Sequence, residues 1–210
     1  MSVIASQPQT HRPSLRMTED EFVRWADEEN RAEWVDGEVT VKMSVEEVHD
    51  VLQRAIASAV EQLALKRKLG EVRGPEFTMR LPQRPSRREP DVLFVATENV
   101  GRLEKKKLEG PADLVLEIVS PESRHRDYRE KFAEYQAAGV REYWIIDPGH
   151  QAVDAYRLDE KTREYVEIPA DAEKRFCSVV LPGFWLRPTD LFTDPLPRAL
   201  QLMKLLGVAD

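Results

Sequence analysis

The sequence contains a single cysteine, Cys177, and only nine glycines in 210 residues. One cysteine allows neither an internal disulfide nor a thiolate metal cluster, and in its strand-like run we expect it to be a small buried hydrophobe. The four histidines are too scattered for a zinc motif, and the sequence has no Gly-rich phosphate loop. These absences exclude disulfide-rich secreted domains, zinc modules and P-loop enzymes.

Long hydrophobic runs are missing as well. No stretch approaches the roughly eighteen apolar residues of a transmembrane helix, and polar residues 1–13 lack the apolar run of a secretory signal. We therefore expect a cytoplasmic protein without a membrane partner. We expect residues 1–16 to be a disordered leader, residues 17–194 to be one domain, and residues 195–210 to be a C-terminal helix or tail.

The net charge of −7 argues against tight, nonspecific binding of nucleic acid. The charge is unevenly distributed, however. Residues 80–131 contain twelve Lys and Arg against ten Asp and Glu, so the acidic excess lies elsewhere. Basic side chains in this segment could contact phosphates, although exposed loop charges are the simpler interpretation. The candidates are Arg87, Arg88, Arg124 and Arg126.

A lone carboxylate inside an apolar run is the most informative feature. Glu117 lies within Leu114, Val115, Leu116, Ile118 and Val119, and burying an ionised Glu unpaired costs several kcal/mol. Asp91 begins another apolar run. If the two runs are neighbouring strands, both carboxylates can share a cation, and two carboxylates plus water suit Mg²⁺. The alternatives are an Asp that caps a turn and a Glu in a buried ion pair.

A set of short motifs resembles a known family. The motifs are residues 33–38, residues 89–92, residues 116–123, Asp127, Lys131, Tyr135, Gly139 and residues 142–148. Together they resemble the bacterial putative restriction endonuclease family, a branch of the PD-(D/E)XK nuclease superfamily, over residues 15–190. The resemblance implies an α/β fold with a restriction-endonuclease-like core, in which flanking helices cover a mixed central sheet in the order αβββαβ.

The sequence departs from the superfamily pattern at Val119, because the usual motif places a Lys two residues after the Glu. The resemblance implies a migrated Lys131, and the helical spacing of Asp127, Lys131 and Tyr135 permits it. Glu38 and His49 match family positions that suggest a place near the metal site or on its rim. For Glu38, His49 and Tyr135 we regard exposed charge, helix surface and packing as open alternatives.

Local signals predict the secondary structure. Thr18 with Glu21, and Ser44 with Glu47, form two capping boxes, and Asp36-Gly37 predicts a hairpin turn. The second helix should bury Val48 and the apolar residues that follow it at helical spacing. We predict strands over residues 72–81, at Asp91, at Glu117 and over residues 142–146. We expect the last two to be parallel across a helix that ends at Gly139.

These features predict a metal-dependent endonuclease that cleaves nucleic acid, with DNA as the expected substrate. Asp91 and Glu117 would hold Mg²⁺ or Mn²⁺, and Lys131 would complete the catalytic set. The alternative is a catalytically silent nuclease-fold module that binds nucleic acid or a protein. Val119 at the usual Lys position and the acidic net charge favour that alternative. A homodimer is expected by analogy with nucleases that act on duplexes.

Overall fold

Two six-stranded sheets organise the structure, a computed structural model that describes residues 15–25, 32–41, 47–81 and 85–209. The strands are β1 (Leu15–Arg16), β2 (Ala32–Val35), β3 (Glu38–Val41), β4 (Gly70–Arg73), β5 (Thr78–Leu81), β6 (Ser86–Arg88), β7 (Val92–Ala96), β8 (Lys107–Glu109), β9 (Leu114–Ile118), β10 (Glu142–Asp147), β11 (Ala152–Leu158), β12 (Tyr165–Glu167), β13 (Phe176–Cys177) and β14 (Trp185–Leu186). The helices are α1 (Glu19–Trp25), α2 (Glu47–Arg67), α3 (Phe132–Ala138), α4 (Pro188–Leu191) and α5 (Ala199–Leu205). A 3₁₀ helix, Thr97–Arg102, and a π-helical segment, Arg126–Lys131, complete the described elements.

The central sheet has the order β12-β11-β10-β9-β7-β4 and is mixed. β9 and β10 are parallel and are joined through the π-helical segment and α3, whereas β7 and β9 are antiparallel. All residues of β7, β9 and β10 are buried. A strand that is covered on both faces needs apolar side chains in both directions, which explains why these segments are nearly continuous apolar runs.

Each face of the central sheet has its own apolar cluster. On one face, Leu116, Ile118 and Trp144 pack with α2 and α5. On the other face, residues at the alternate positions, such as Val115 and Ile145, pack with α3 and with the second sheet. Because side chains alternate along a strand, Glu117 lies on the face of Val115 and Val119, toward α3.

The second sheet has the order β1-β3-β2-β6-β5-β8. In it, β2 lies beside β6, with Trp34 opposite Arg87 and Val35 opposite Ser86. Continuing that register by one residue places Glu33 opposite Arg88. Met79 and Leu81 of β5 belong to the apolar cluster on the α3 face of the central sheet. The second sheet therefore packs over the face that carries Glu117.

The predicted core is confirmed: α2, β4, β7, β9, α3 and β10 follow in the order αβββαβ. The fold is restriction-endonuclease-like. The first capping box is confirmed, because the backbone N–H of Thr18 donates to Glu21 Oε2 at 2.8 Å and that of Glu21 donates to Thr18 Oγ1 at 3.3 Å. Asp36 and Gly37 have positive φ, as the hairpin turn requires. Gly139 ends α3 with φ of 91°.

Several predictions were wrong in detail. The predicted strand over residues 72–81 is two strands, β4 and β5, in different sheets, because a turn over residues 74–77 separates them. Val48 is 39% exposed, and Cys177 lies exposed in the two-stranded β13–β14 sheet. Residues 15 and 16, which we assigned to the leader, pair with β3. Residues 1–14 and Ser44 lie outside the described residues.

The C-terminal segment forms α5, whose Leu202 belongs to the same apolar cluster as α2. Lys66 of α2 donates from Nζ to the carbonyl of Gly207 at 3.0 Å. The segment over residues 195–210, for which we expected a helix or a tail, thus contains a helix at Ala199–Leu205. In the part of the chain that the structure describes, no helix combines the length and the apolar character needed to span a bilayer.

Candidate active site

Asp91 and Glu117 lie at the same end of two paired strands. In the antiparallel pair of β7 and β9, Val92 lies opposite Leu116, and continuing this register by one residue places Asp91 opposite Glu117. The carboxylate of Asp91 accepts a hydrogen bond from the backbone N–H of Ile118 at 2.8 Å. Directly opposite residues in antiparallel strands have Cβ atoms about 5 Å apart. The two carboxylates therefore occupy one site.

Glu117 is held from α3 and from the segment before it. Its side chain is 2% exposed, its Oε2 lies 3.0 Å from Lys131 Nζ, and its Oε1 accepts a hydrogen bond from the Tyr135 hydroxyl at 2.9 Å. A carboxylate has about four lone-pair positions, so both oxygens can still bind a cation. The structure thus gives Glu117 one fixed orientation.

Lys131 reaches the site from the end of the π-helical segment. Its Nζ lies 2.9 Å from Asp127 Oδ1 and 3.8 Å from Glu33 Oε1, in addition to its contact with Glu117. The side chain is only 4% exposed. Single π-helical turns often occur at functional sites, where they re-aim a side chain. The structure brings Lys131 beside Glu117, although Lys131 comes from a helical segment.

The surroundings shift the pKa of Glu117 and the pKa of Lys131 for different reasons. Burial raises the pKa of Glu117, Lys131 lowers it, and the neighbouring carboxylates of Asp91, Asp127 and Glu33 raise it; together they bring this pKa to about 7. For Lys131, burial opposes the charged form, but the carboxylates of Asp127, Glu117 and Glu33 outweigh it and raise the pKa of the ammonium. In the metal-free protein this shift favours the charged form of Lys131 at neutral pH.

A buried ion network supports the site from the second sheet. Arg88 is 3% exposed, and its guanidinium lies 3.0 Å from Glu33 Oε2 and 2.7 Å from Glu134 Oε2. The Ser86 hydroxyl donates a short hydrogen bond to Glu134. Burial opposes the charged guanidinium, yet Glu33 and Glu134 together raise the pKa of Arg88. This network joins the second sheet to α3 and fixes the position of Glu33.

The donor set fits a divalent cation. Three carboxylates, those of Glu33, Glu117 and Asp127, contact Lys131, and a fourth, Asp91, lies near Glu117, while Arg88 is shared by Glu33 and Glu134. This surplus of negative charge in a buried site favours a bound cation. In residues 15–25, 32–41, 47–81 and 85–209, no group of three or more His, Cys, Asp or Glu side chains forms a metal cage. Mg²⁺ commonly binds through one or two carboxylates plus water and phosphate oxygens.

Comparison with known proteins identifies the family of the chain and supports its fold. Residues 19–189 match the Uma2 family, described as a putative restriction endonuclease family. The chain belongs to the Uma2 family. The crystal structure of a putative nuclease belonging to DUF820 from Anabaena variabilis is similar to this Uma2 chain, with a TM-score of 0.68 and 20% sequence identity. The match covers 84% of this chain and 97% of that one. No curated protein matches.

Of the three accessory candidates in this Uma2 member, two contact the carboxylates of the site and one does not. His49 lies with Nε2 3.2 Å from Asp91 Oδ2, and Tyr135 contacts Glu117, so both belong to the site. Glu38 lies elsewhere, since its half-exposed carboxylate pairs with Arg16. In the β2–β3 hairpin that carries Glu38, the carboxylate of Glu33 on β2 is buried and contacts Lys131.

The four arginines that we considered as phosphate contacts differ in their exposure and in their ion-pair partners. Arg88 is buried and shared by two carboxylates, so the expectation of a phosphate contact does not fit its position. Arg87 is 12% exposed and pairs with Glu19, and Arg126 is 25% exposed with Nε 4.0 Å from Glu33. Arg124 is 45% exposed. Of these four residues, Arg124 has the most accessible side chain.

Sequence reasoning assigned no role to two residues of the site, Glu33 and Asp127. The signal for Glu33 was present, because Glu33 also lies within a short apolar run, between Ala32 and Trp34. For Asp127 the signal was its position four residues before Lys131, where helical side chains meet. Both residues contact Lys131 from elements other than the strand of Glu117.

Proposed function

We propose that this protein is an endonuclease that hydrolyses phosphodiester bonds of DNA with Mg²⁺ or Mn²⁺. The observation that carries the proposal is the position of Lys131, with Nζ 3.0 Å from Glu117, beside a carboxylate pair with Asp91. Membership of a nuclease family supports the same chemistry. Two carboxylates can hold a metal ion that polarises a phosphate oxygen, and an ammonium can stabilise the charge that develops on the phosphate.

The carboxylates of Asp91 and Glu117 would hold the metal ion. When bound, it supplies Lewis-acid polarisation of a phosphate oxygen and a water of lowered pKa. Asp91 is fixed by the backbone N–H of Ile118 and by His49, and Glu117 by Tyr135 and Lys131. These contacts hold both carboxylates before the substrate binds, which reduces the cost of reorganisation.

Lys131 would stabilise the negative charge that develops on the phosphate during attack by water. In the metal-free protein, the carboxylates around Lys131 raise the pKa of its ammonium, which favours the charged form at neutral pH and a role that uses this charge. A preorganised cation in a buried site stabilises a charged transition state more strongly than a cation in water. We therefore assign Lys131 to charge stabilisation and not to general base catalysis.

A catalytically silent module that keeps the nuclease fold is the second candidate. The observations that favour it are the near-complete burial of Glu117 and Lys131, at 2% and 4% exposure, and Val119 at the usual Lys position. Such a module would bind nucleic acid or a protein partner without hydrolysing it. A homodimer is also part of the proposal, because nucleases that cut both strands of a duplex commonly work in pairs.

The test is a plasmid-nicking assay with Mg²⁺, Mn²⁺ or a chelator, accompanied by calorimetric titration of the same metals. We expect cleavage by the wild type that requires metal, and a loss of about 10²-fold or more in Lys131→Met and in Glu117→Gln. The matched control is Lys161→Met, which removes an exposed ammonium. Metal-independent cleavage, or full activity in both site variants, would contradict the mechanism. Metal binding without cleavage of any nucleic acid would favour the silent module.

A further inference from the structure

Asp147, the last residue of β10, holds two exposed basic side chains. Its carboxylate is 2% exposed and accepts a hydrogen bond from Arg124 Nε at 3.1 Å. It also lies 3.0 Å from His150 Nδ1 and accepts a hydrogen bond from the His150 backbone N–H at 3.1 Å. The side chains of Arg124 and His150 are 45% and 63% exposed. One buried anion thus orients two basic groups toward solvent.

This cluster lies beside the candidate active site. β10 is parallel to β9, with Ile145 opposite Glu117, so Asp147 lies two residues further along the neighbouring strand. The strands remain in contact there, because the N–H of Val119 donates to the carbonyl of Ile146 at 2.8 Å. With a rise of about 3.3 Å per residue and a strand spacing of about 4.8 Å, the Cα atoms of Asp147 and Glu117 are about 8 Å apart.

The cluster also shares the face of the catalytic residues. Along β10, Tyr143 and Ile145 belong to the apolar cluster on the α3 side, and Asp147 continues that alternation. Arg124 precedes the segment that carries Lys131. A strand of nucleic acid whose scissile phosphate lies at Glu117 would therefore place a neighbouring phosphate near Arg124 and His150.

Both side chains keep donors for such a ligand. Arg124 uses Nε for Asp147, and its guanidinium lies over the Tyr128 ring at 4.6 Å. Tyr128 is itself fixed by a 2.6 Å hydrogen bond to Asp154. Within the described residues, Arg124 makes no ion pair with any carboxylate other than Asp147, and Asp147 is the partner of His150 through Nδ1. The terminal amino groups of Arg124 remain as donors for a ligand, and Nε2 of His150 is a further donor when the imidazole carries a proton on both nitrogens.

We propose that Arg124 and His150, positioned by Asp147, bind a backbone phosphate next to the scissile one; this inference rests on the proposed action on nucleic acid. The guanidinium fork suits a phosphate because it can donate two parallel hydrogen bonds. Arg87 and Arg88 cannot serve in the same way, since their guanidinium groups are paired with Glu19, Glu33 and Glu134. The buried carboxylate holds the Arg124 side chain in one orientation, which lowers the entropy lost on binding.

The test is the salt dependence of DNA binding, measured by fluorescence anisotropy with a short labelled duplex in chelator, so that no cleavage occurs. The variants are Arg124→Gln and His150→Gln, which leave Asp147 in place. The matched control is Arg157→Gln, which removes an exposed charge from the opposite end of the β10–β11 hairpin, opposite Glu142. Arg124→Lys keeps the charge and loses the fork.

We expect Arg124→Gln to lower the slope of log K against log[salt] by about 0.9 and to weaken binding roughly fivefold to tenfold at 0.1 M salt. His150→Gln should weaken binding by a smaller factor, and Arg124→Lys should restore the slope. The control should match the wild type. Equal slopes for Arg124→Gln and Arg157→Gln would overturn the inference and leave the proposed function intact. A wild type that binds neither duplex nor single strand at low salt would overturn both.

Discussion

Replacing Glu117 with Gln should change how the stability of the protein depends on pH. In the folded protein, burial raises the pKa of Glu117 from its ordinary value of 4.5 to about 7. Because the folded state binds this proton more tightly than the unfolded state, the associated stability is present below about pH 4.5 and is lost as the pH rises through about 7. Gln is nearly isosteric with the protonated acid and does not titrate.

The magnitude follows from the same values. One pKa unit corresponds to about 1.4 kcal/mol, so the interval between 4.5 and about 7 corresponds to roughly 3 kcal/mol. The free energy of unfolding of the wild type should fall by up to this amount between pH 4.5 and pH 8, relative to Glu117→Gln. Groups that titrate alike in the two proteins cancel in the difference.

The assay is urea unfolding of both proteins, without metal, at several pH values across this range. The control is Glu122→Gln, which removes an exposed carboxylate from the loop after β9. It should run parallel to the wild type. A difference between wild type and Glu117→Gln that stays constant from pH 4.5 to pH 8 would refute the claim that Glu117 is a destabilised buried carboxylate, and with it the argument that the site calls for a cation.

Three further predictions concern the same site. Arg88→Met should lower the free energy of unfolding by about 3–5 kcal/mol, because it leaves Glu33 and Glu134 buried without their cation. Urea unfolding measures this loss, and a loss below about 1 kcal/mol would contradict the prediction. Tyr135→Phe should cost about 1–3 kcal/mol at pH 8 by removing the hydrogen bond to Glu117, with cleavage reduced but still measurable. Mg²⁺ should raise the melting temperature of the wild type and leave that of Glu117→Gln nearly unchanged; equal shifts would locate the metal elsewhere.

The sequence predicted the features that depend on neighbouring residues, but it did not predict the pairing of strands that lie far apart along the chain. The apolar runs around Asp91 and Glu117, the Thr18 capping box and the Asp36-Gly37 turn each depend on a few neighbouring residues. The second sheet was not predicted, because its strands have two to four residues and take their partners from across the chain. Short strands carry too little periodicity to reveal their pairing.

The difference between local and distant contacts also explains which site residues could be predicted from the sequence. Lys131 was predicted because the family resemblance implies a migrated Lys, and its spacing of four residues from Asp127 and from Tyr135 permits that role. The apolar neighbours of Glu33 indicate a buried carboxylate, but its contact with Lys131 could not be predicted, since that contact depends on how the second sheet packs over the central sheet. The burial of Arg88 has the same origin. Its sequence neighbours suggest an exposed basic loop, whereas its register opposite β2 places it against Glu33.

The position of Lys131 shows why the spacing of a motif can change while its chemistry persists. The proposed mechanism needs an ammonium near Glu117, and this ammonium need not come from the same strand. Val119 lies on the face of Glu117 but packs within the apolar cluster, and Lys131 reaches the carboxylate from the neighbouring helical segment. Because Asp127 and Glu33 also contact Lys131, three elements hold the ammonium, so its orientation does not depend on β9 alone. Residues that hold such a cation are therefore better identified from the side chains that meet in the folded structure than from their spacing along the chain.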